Sequence, residues 1–135
     1  MAAGFARAYG SDVLIVQSAG LAPAMSVSSL THKVMIERNI DIGHEFPKGL
    51  DMASPGQADL IINMSGHALP AKTEARVETW AIQDPIGESE EVYREVRDQI
   101  EQRVMRLILK VRAKKPPAPA AEAPRVDTRR RTPRQ

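Results

Sequence analysis

Apolar and polar positions follow two rhythms along this chain. Residues 12–16 (DVLIV), 58–64 (ADLIINM) and 78–82 (ETWAI) are short apolar runs rich in β-branched side chains. Runs with little polar alternation suit strands covered on both faces, as in parallel sheets. Each run ends in turn-forming residues: Gln17-Ser18-Ala19-Gly20, Ser65-Gly66 and Gln83-Asp84-Pro85. Helical spacing fills the intervals. Phe5, Ala6 and Tyr9 mark a first helix, closed by Gly10. Val27, Leu30, Val34 and Ile40 mark one side of a second, opened by Ser28 or Ser29 and ended by Asn39, which tolerates the left-handed conformation of a helix stop. The third is the clearest. Val92, Val96, Ile100, Val104, Leu107, Ile108 and Val111 form one stripe at i, i+3, i+4 spacing. Ser89 can cap it, Glu90 and Glu91 suit its N-terminal dipole, and Glu90 pairs with Arg94 four residues on. Phe5, Tyr9 and Trp80 are expected in the core, and Tyr93, off the stripe, partly exposed near Asp84. From Lys114 the periodicity stops and five of the ten prolines appear. The expectation is a body over residues 1–113 and a disordered Pro/Ala/Arg-rich basic tail over 114–135.

Charge sharpens that division. The net charge of +2 combines ten basic and fifteen acidic residues before position 110 with nine basic and two acidic residues from there on. The run Arg129-Arg130-Arg131 has no interleaved aromatics, so it reads as a solvated tail and no nucleic-acid partner is expected. Cysteine is absent from the 135 residues, which excludes disulfides, thiolate zinc sites and a cysteine nucleophile within them. His32, His44 and His67 have no metal-ligand spacing, so neither a metal nor a cofactor is expected. No apolar run reaches bilayer-spanning length and no signal-peptide layout opens the chain, so a cytoplasmic protein without membrane attachment is expected.

Strands alternating with helices define an α/β fold with a parallel sheet, in which ligands sit beyond the carboxyl ends of the strands. The SAG, NMSG and QDP segments all fall there.

Taken together, these segments resemble the low-molecular-weight protein tyrosine phosphatases and the related thiol-dependent arsenate reductases. The matching pieces are Met1-Ala2 with Gly4-Phe5-Ala6-Arg7, Ser18-Ala19-Gly20-Leu21 with Pro23, and Val34-Met35-x-Glu37 with Ile40-Asp41-Ile42. They continue through Ala58-Asp59-Leu60-Ile61 to Met64, then Trp80-x-x-x-Asp84-Pro85 and Arg97-Asp98-x-Ile100. The resemblance covers about residues 1–110. It implies a three-layer fold of flavodoxin-like winding, whose first strand runs into a C-x5-R-S phosphate loop and then the first helix. Since the family's sequence just after that loop resembles Met-Ala-x-Gly-Phe-Ala-Arg, the expectation is that the first central strand and the loop are missing from this chain.

The resemblance assigns Asp84 as general acid, Ser18 as a support for the phosphate loop, and Lys48 to the border of the substrate entrance. Without the family, Asp84 before a proline reads as a turn former, Ser18 as a strand-end serine, and Lys48 as a solvated charge. The implied chemistry is phosphomonoester hydrolysis through a phosphocysteine, and the chain as written is expected to be inactive because the cysteine and the loop arginine are missing. Phosphorylated proteins or small phosphomonoesters are the implied substrates of a longer, active form. Two alternatives stand beside this: a non-catalytic interaction or regulatory module, and an arsenate reductase-like protein. The reductases pass electrons through further cysteines, where this chain has Asn63-Met64-Ser65-Gly66-His67. Loss of a central strand would also leave unpaired edges, so low stability and self-association are expected.

Overall fold

The computed structural model describes residues 1–20, 27–45, 47–50, 57–69 and 74–114. Lys114, the first residue of the expected tail, is helical, and the rest of that tail, with the family-like Leu21 and Pro23, lies outside the described residues. Among those described, three helices and two strands follow one another in chain order: α1 (Ala2–Gly10), α2 (Ser29–Ile36), β1 (Leu60–Asn63), β2 (Arg76–Thr79) and α3 (Glu90–Lys114). The fold is α/β with a parallel sheet, as the alternation of runs implies.

Local chemistry sets the helix ends. Ser28 caps α2, its Oγ accepting from the Leu30 amide at 3.2 Å. At the other end Asn39 takes a φ of 62°, and the Ile40 amide reaches back to the Met35 carbonyl at 3.1 Å while that of Asn39 bonds to Ile36 at 2.8 Å. This is the paired closure of a Schellman stop, with Asn39 where glycine usually sits. Ser89 caps α3, accepting from the Val92 amide at 3.3 Å. The Glu90–Arg94 pair forms at 2.7 Å.

Helix packing builds the core. Phe5, Val34, Met35 and Ile108 are wholly buried, joined by Val96, Ile100 and Val104 from α3. At the end of α1, Gly10 packs against the Ile108 side chain: a Cβ there would lie 2.8 Å from its Cγ1, so a larger residue would force Ile108 to shift. Tyr93 departs from expectation: it is buried, its hydroxyl 3.3 Å from the Ser28 Oγ. The buried face of α3 includes Tyr93 and Arg97 as well as the aliphatic stripe because α2 packs against that side of the helix.

The strand expectations are corrected in two places. Residues 12–16 form no strand: the Val13 and Leu14 amides turn back to the Gly10 carbonyl at 3.0 and 2.8 Å, and Ile15 is 100% exposed. Val13, Leu14 and Val16 still pack on the core, so the run is apolar for packing and not for pairing. The third run pairs earlier than expected, over 76–79. Trp80 and Ile82 owe their apolar character to the core, while Arg76 and Val77 pair at the exposed start of the ladder. β1 falls inside its expected run.

The register is Leu60 with Arg76 through Asn63 with Thr79. Amides of Arg76 and Trp80 reach the carbonyls of Asp59 and Asn63 at 3.4 and 3.0 Å. Odd-numbered residues of β1 therefore face β2. Leu60 and Ile62 turn their backbone groups to the other edge, where no described residue meets them.

Candidate functional site

The carboxyl ends of β1 and β2 and the neighbouring loops supply the polar groups. Beyond β1, Asn63 is a buried polar side chain, and three bonds satisfy it. Its amide donates to the His67 carbonyl at 2.7 Å, and its Oδ1 accepts from the Ser65 amide at 3.0 Å and hydroxyl at 2.7 Å. The His67 carbonyl also lies 3.0 Å from Ser65 Oγ and competes with Asn63 for its one proton, while the Oγ accepts from the His67 amide at 3.1 Å. Gly66, at φ 80°, supplies the left-handed step that closes this knot. The knot forms one wall of an open cavity of ≈ 350 Å³, with Met64, His67, Trp80 and Ile82 along its lining.

Beyond β2, Asp84 is exposed and bonds through Oδ1 to the Ile86 amide at 3.1 Å, and the Glu88 amide closes onto the Pro85 carbonyl at 2.9 Å. The turn runs directly into the Ser89 cap of α3. Its geometry is that of an Asx turn: the carboxylate is held at the loop tip by its own backbone, free to face solvent or a ligand.

The third loop pair lies at the end of residues 12–16. Gly20 donates to the Lys48 carbonyl at 2.8 Å and forms a parallel bridge with Gly49. Ser18 stands half-buried two residues before that junction, and Lys48 is half-buried within it. The structure thus ties the neighbourhoods of Ser18 and Lys48 together through backbone. Asp84 sits on a separate loop.

Sequence reasoning missed the residues that hold these loops in place. Arg7 on α1 donates Nη2 to the Val16 carbonyl at 3.1 Å and pairs through Nη1 with Glu45, so one guanidinium joins the end of the 12–16 run to the turn after Ile42. Arg97 is 5% exposed and binds the Val34 carbonyl at 3.0 Å, Glu37 at 2.6 Å and Asp98 at 2.9 Å. Glu37 also takes a forked pair of bonds from Arg94, at 3.1 and 2.8 Å. Those Arg94 bonds, with the help of Arg97, hold the Glu37 carboxyl down at about 2 although burial pushes the other way. Arg7, Glu37, Arg97 and Asp98 stood among the family-like pieces of the sequence but were given no role there.

Residues 1–117 match the low molecular weight phosphotyrosine protein phosphatase family, and the chain belongs to it. Similar proteins within that family include arsenate reductases. It is 34% identical over 115 residues to the glutaredoxin arsenate reductase of Synechocystis, covering 82% of this chain and 87% of that protein. It is 32% identical over 110 residues to the arsenate reductase of Bacillus cereus, covering 78% and 81%. A solved structure of an arsenate reductase in its phosphate binding state superposes with a TM-score of 0.72 at 32% identity, over 82% of this chain and 86% of that one.

Proposed function

We propose that this chain is the body of an arsenate reductase-type enzyme acting on a small tetrahedral oxyanion, with the thiols it needs supplied from outside these 135 residues. The Asp84 loop carries the reading. Many phosphatases of the family hold tyrosines directly after Asp-Pro, where they recognise an aromatic substrate. Here Ile86 is 65% exposed and Gly87 turns at φ 82°, so no aromatic wall stands beside the acid. An inorganic oxyanion needs none. The reductase relatives support the same choice over phosphomonoester hydrolysis, the leading expectation from sequence.

Reduction of arsenate to arsenite takes two electrons, which two thiols release on forming a disulfide. The chain has no cysteine and contributes neither thiol. Its own part is to carry Asp84 as a proton donor for a departing oxygen and to set the rim around Ser18 and Lys48. A chemistry that depends on free thiols fits the reducing cytoplasm, and no described helix is long and apolar enough to cross a membrane.

The test is a pair of proteins: this chain, and the same chain extended at its N-terminus by a strand and a C-x5-R-S loop of the family pattern. Both are assayed for arsenite release with glutathione and glutaredoxin, and for phosphotyrosine hydrolysis. The expected result is no turnover by the first and arsenite release by the second, lowered in the second by Asp84→Asn, which keeps the turn's acceptor but loses the acid. Hydrolysis of phosphotyrosine without arsenite release by the extended chain overturns the reading. A second reading, a non-catalytic interaction module, is favoured by the absence of cysteine alone. The intact mass of the protein from its native source separates the two, since a mass of 14.9 kDa means that the cell makes this cysteine-free chain.

A further inference from the structure

The two halves of α3 carry their positive charges differently. In the first half the arginines are neutralised: Arg94 binds Glu37 and Glu90, and Arg97 binds Glu37 and Asp98. From Arg103 to Lys114 the helix holds five basic residues and no acidic one. Two of the five have local work. Arg112 binds Asp12 at 2.8 Å and the Tyr9 carbonyl at 2.8 Å, and Arg103 lies over the Trp80 ring at 5.9 Å. The other three, Arg106, Lys110 and Lys114, are exposed and make no ion pair with a described residue. They stand at i, i+4 and i+8, one above the other on a single line about 12 Å long. Like charges at that spacing repel, so the stripe works against the helix that bears it. The sequence beyond, residues 115–135, adds six basic and two acidic residues.

We propose that this line on α3 is a docking surface for the phosphate backbone of duplex nucleic acid, bound without regard to base sequence. The chemistry of the surface selects this partner. A bilayer would require an apolar face to insert, but that face of α3 is spent on the core, with Val104 and Ile108 buried. A protein interface is centred on buried aromatic or aliphatic anchors, and this surface offers only Leu109, 58% exposed. Single strands are held largely by aromatic stacking, and none of the residues from 103 to 135 is aromatic. Contacts to duplex phosphates need only unpaired cations, and their binding is driven by release of counterions. The arginine run of the tail reads as solvated by itself. The rigid line on α3 is what alters that expectation. The proposal is independent of the oxyanion chemistry at the other loops.

Fluorescence anisotropy of a labelled mixed-sequence DNA duplex of about 20 base pairs tests it, with the full chain titrated between about 50 and about 200 mM salt. Binding is expected to weaken steeply with salt. In the variant combining Arg106→Gln, Lys110→Gln and Lys114→Gln, affinity should fall at least about tenfold at the lower salt and the log–log slope should shrink by about 3. Glutamine keeps the helix propensity, and far-ultraviolet circular dichroism confirms the fold. The charge-preserving exchange of Arg106→Lys, Lys110→Arg and Lys114→Arg should bind like the parent. Three results overturn the proposal: no binding by the parent at the lower salt, unchanged affinity and slope in the glutamine variant, or tighter binding to phosphatidylserine vesicles than to the duplex. Should the glutamine variant fail to fold, the charge-preserving variant decides, because loss of binding by a folded protein of equal charge overturns it too.

Discussion

The contact of α2 with α3 and the open edge of β1 lie in one small body but are finished to different degrees. Between the helices charged side chains are paired: Arg97 is buried and spends its guanidinium on Val34, Glu37 and Asp98, and Arg38 crosses to Asp98 at 2.7 Å. At the edge of β1 the backbone groups of Leu60 and Ile62 meet no described partner, and Ile15, from a run with strand composition, stands wholly exposed. A helix satisfies its backbone within itself and needs neighbours only for its side chains, whereas a strand needs another strand for both. The stability of this chain should therefore reside in the helical side, and its tendency to associate in the strand side.

The largest expected effect breaks the helical side at its centre. Phe5 is wholly buried and stacks with Tyr9 at 5.8 Å between ring centres. Phe5→Ala should destabilise the body by about 3–5 kcal/mol, enough to unfold much of the population, as read by chemical denaturation. Next comes the clasp. Arg97→Met keeps the packing but orphans the Val34 carbonyl and removes a partner from Glu37, at a cost of about 2 kcal/mol. Arg97→Lys should recover only part of that, because one compact ammonium cannot reach the acceptors that Nε and Nη1 serve from separate positions. Equal stability of the Met variant and the parent would show that the clasp is ornamental.

Acid should act on the same contact in a defined window. The folded state holds Glu37 at about 2, below its ordinary 4.5, so the unfolded chain binds its proton first as pH falls. The stability due to Glu37 is thus complete above about 4.5 and is lost progressively as pH drops toward about 2. Glu37→Gln should flatten that part of the pH–stability profile while lowering stability at neutral pH. An unchanged acid profile in the variant would assign the sensitivity to other carboxylates.

The smallest effects on folding should have the clearest effect on association. We expect the chain to self-associate at high concentration through the β1 edge and the exposed Ile15. Ile15→Lys should leave stability within about 0.5 kcal/mol of the parent and reduce association in sedimentation velocity. Ile62→Pro should also reduce association, because the amide it removes points away from β2 and outside the ladder, but at a cost in stability, since the Ile62 side chain packs on the core. A strictly monomeric parent with a cooperative unfolding transition would remove the contrast between the two regions.

Much of the candidate site was legible as sequence, in the sense that SAG, NMSG and the Asp84-Pro85 turn do end the runs that precede them. What was not legible is how each is held. The guanidinium of Arg7 reaches residues nine and thirty-eight positions away, and no local pattern marks such a partner. Asn63 lies inside an expected strand run and does end β1, but no local pattern marks it as the centre of the knot that shapes the next loop.

By itself, the sequence determined the elements whose hydrogen bonds close within a few residues: α1, α2 with its serine cap and asparagine stop, and the long α3 with its apolar stripe. These depend on propensity, capping and periodicity, all of which are local. Only the tertiary structure decided whether an apolar run becomes a strand. Residues 12–16 and 60–63 have similar composition, but 60–63 lies beside Arg76–Thr79 and pairs, while 12–16 turns back on Gly10 and only packs. The same is true of Tyr93, drawn inward by α2, and of the charges of α3, neutral where α2 brings carboxylates and unpaired where nothing does. Pairing and neutralisation belong to two segments at once, and one segment's residues do not say which other segment will arrive.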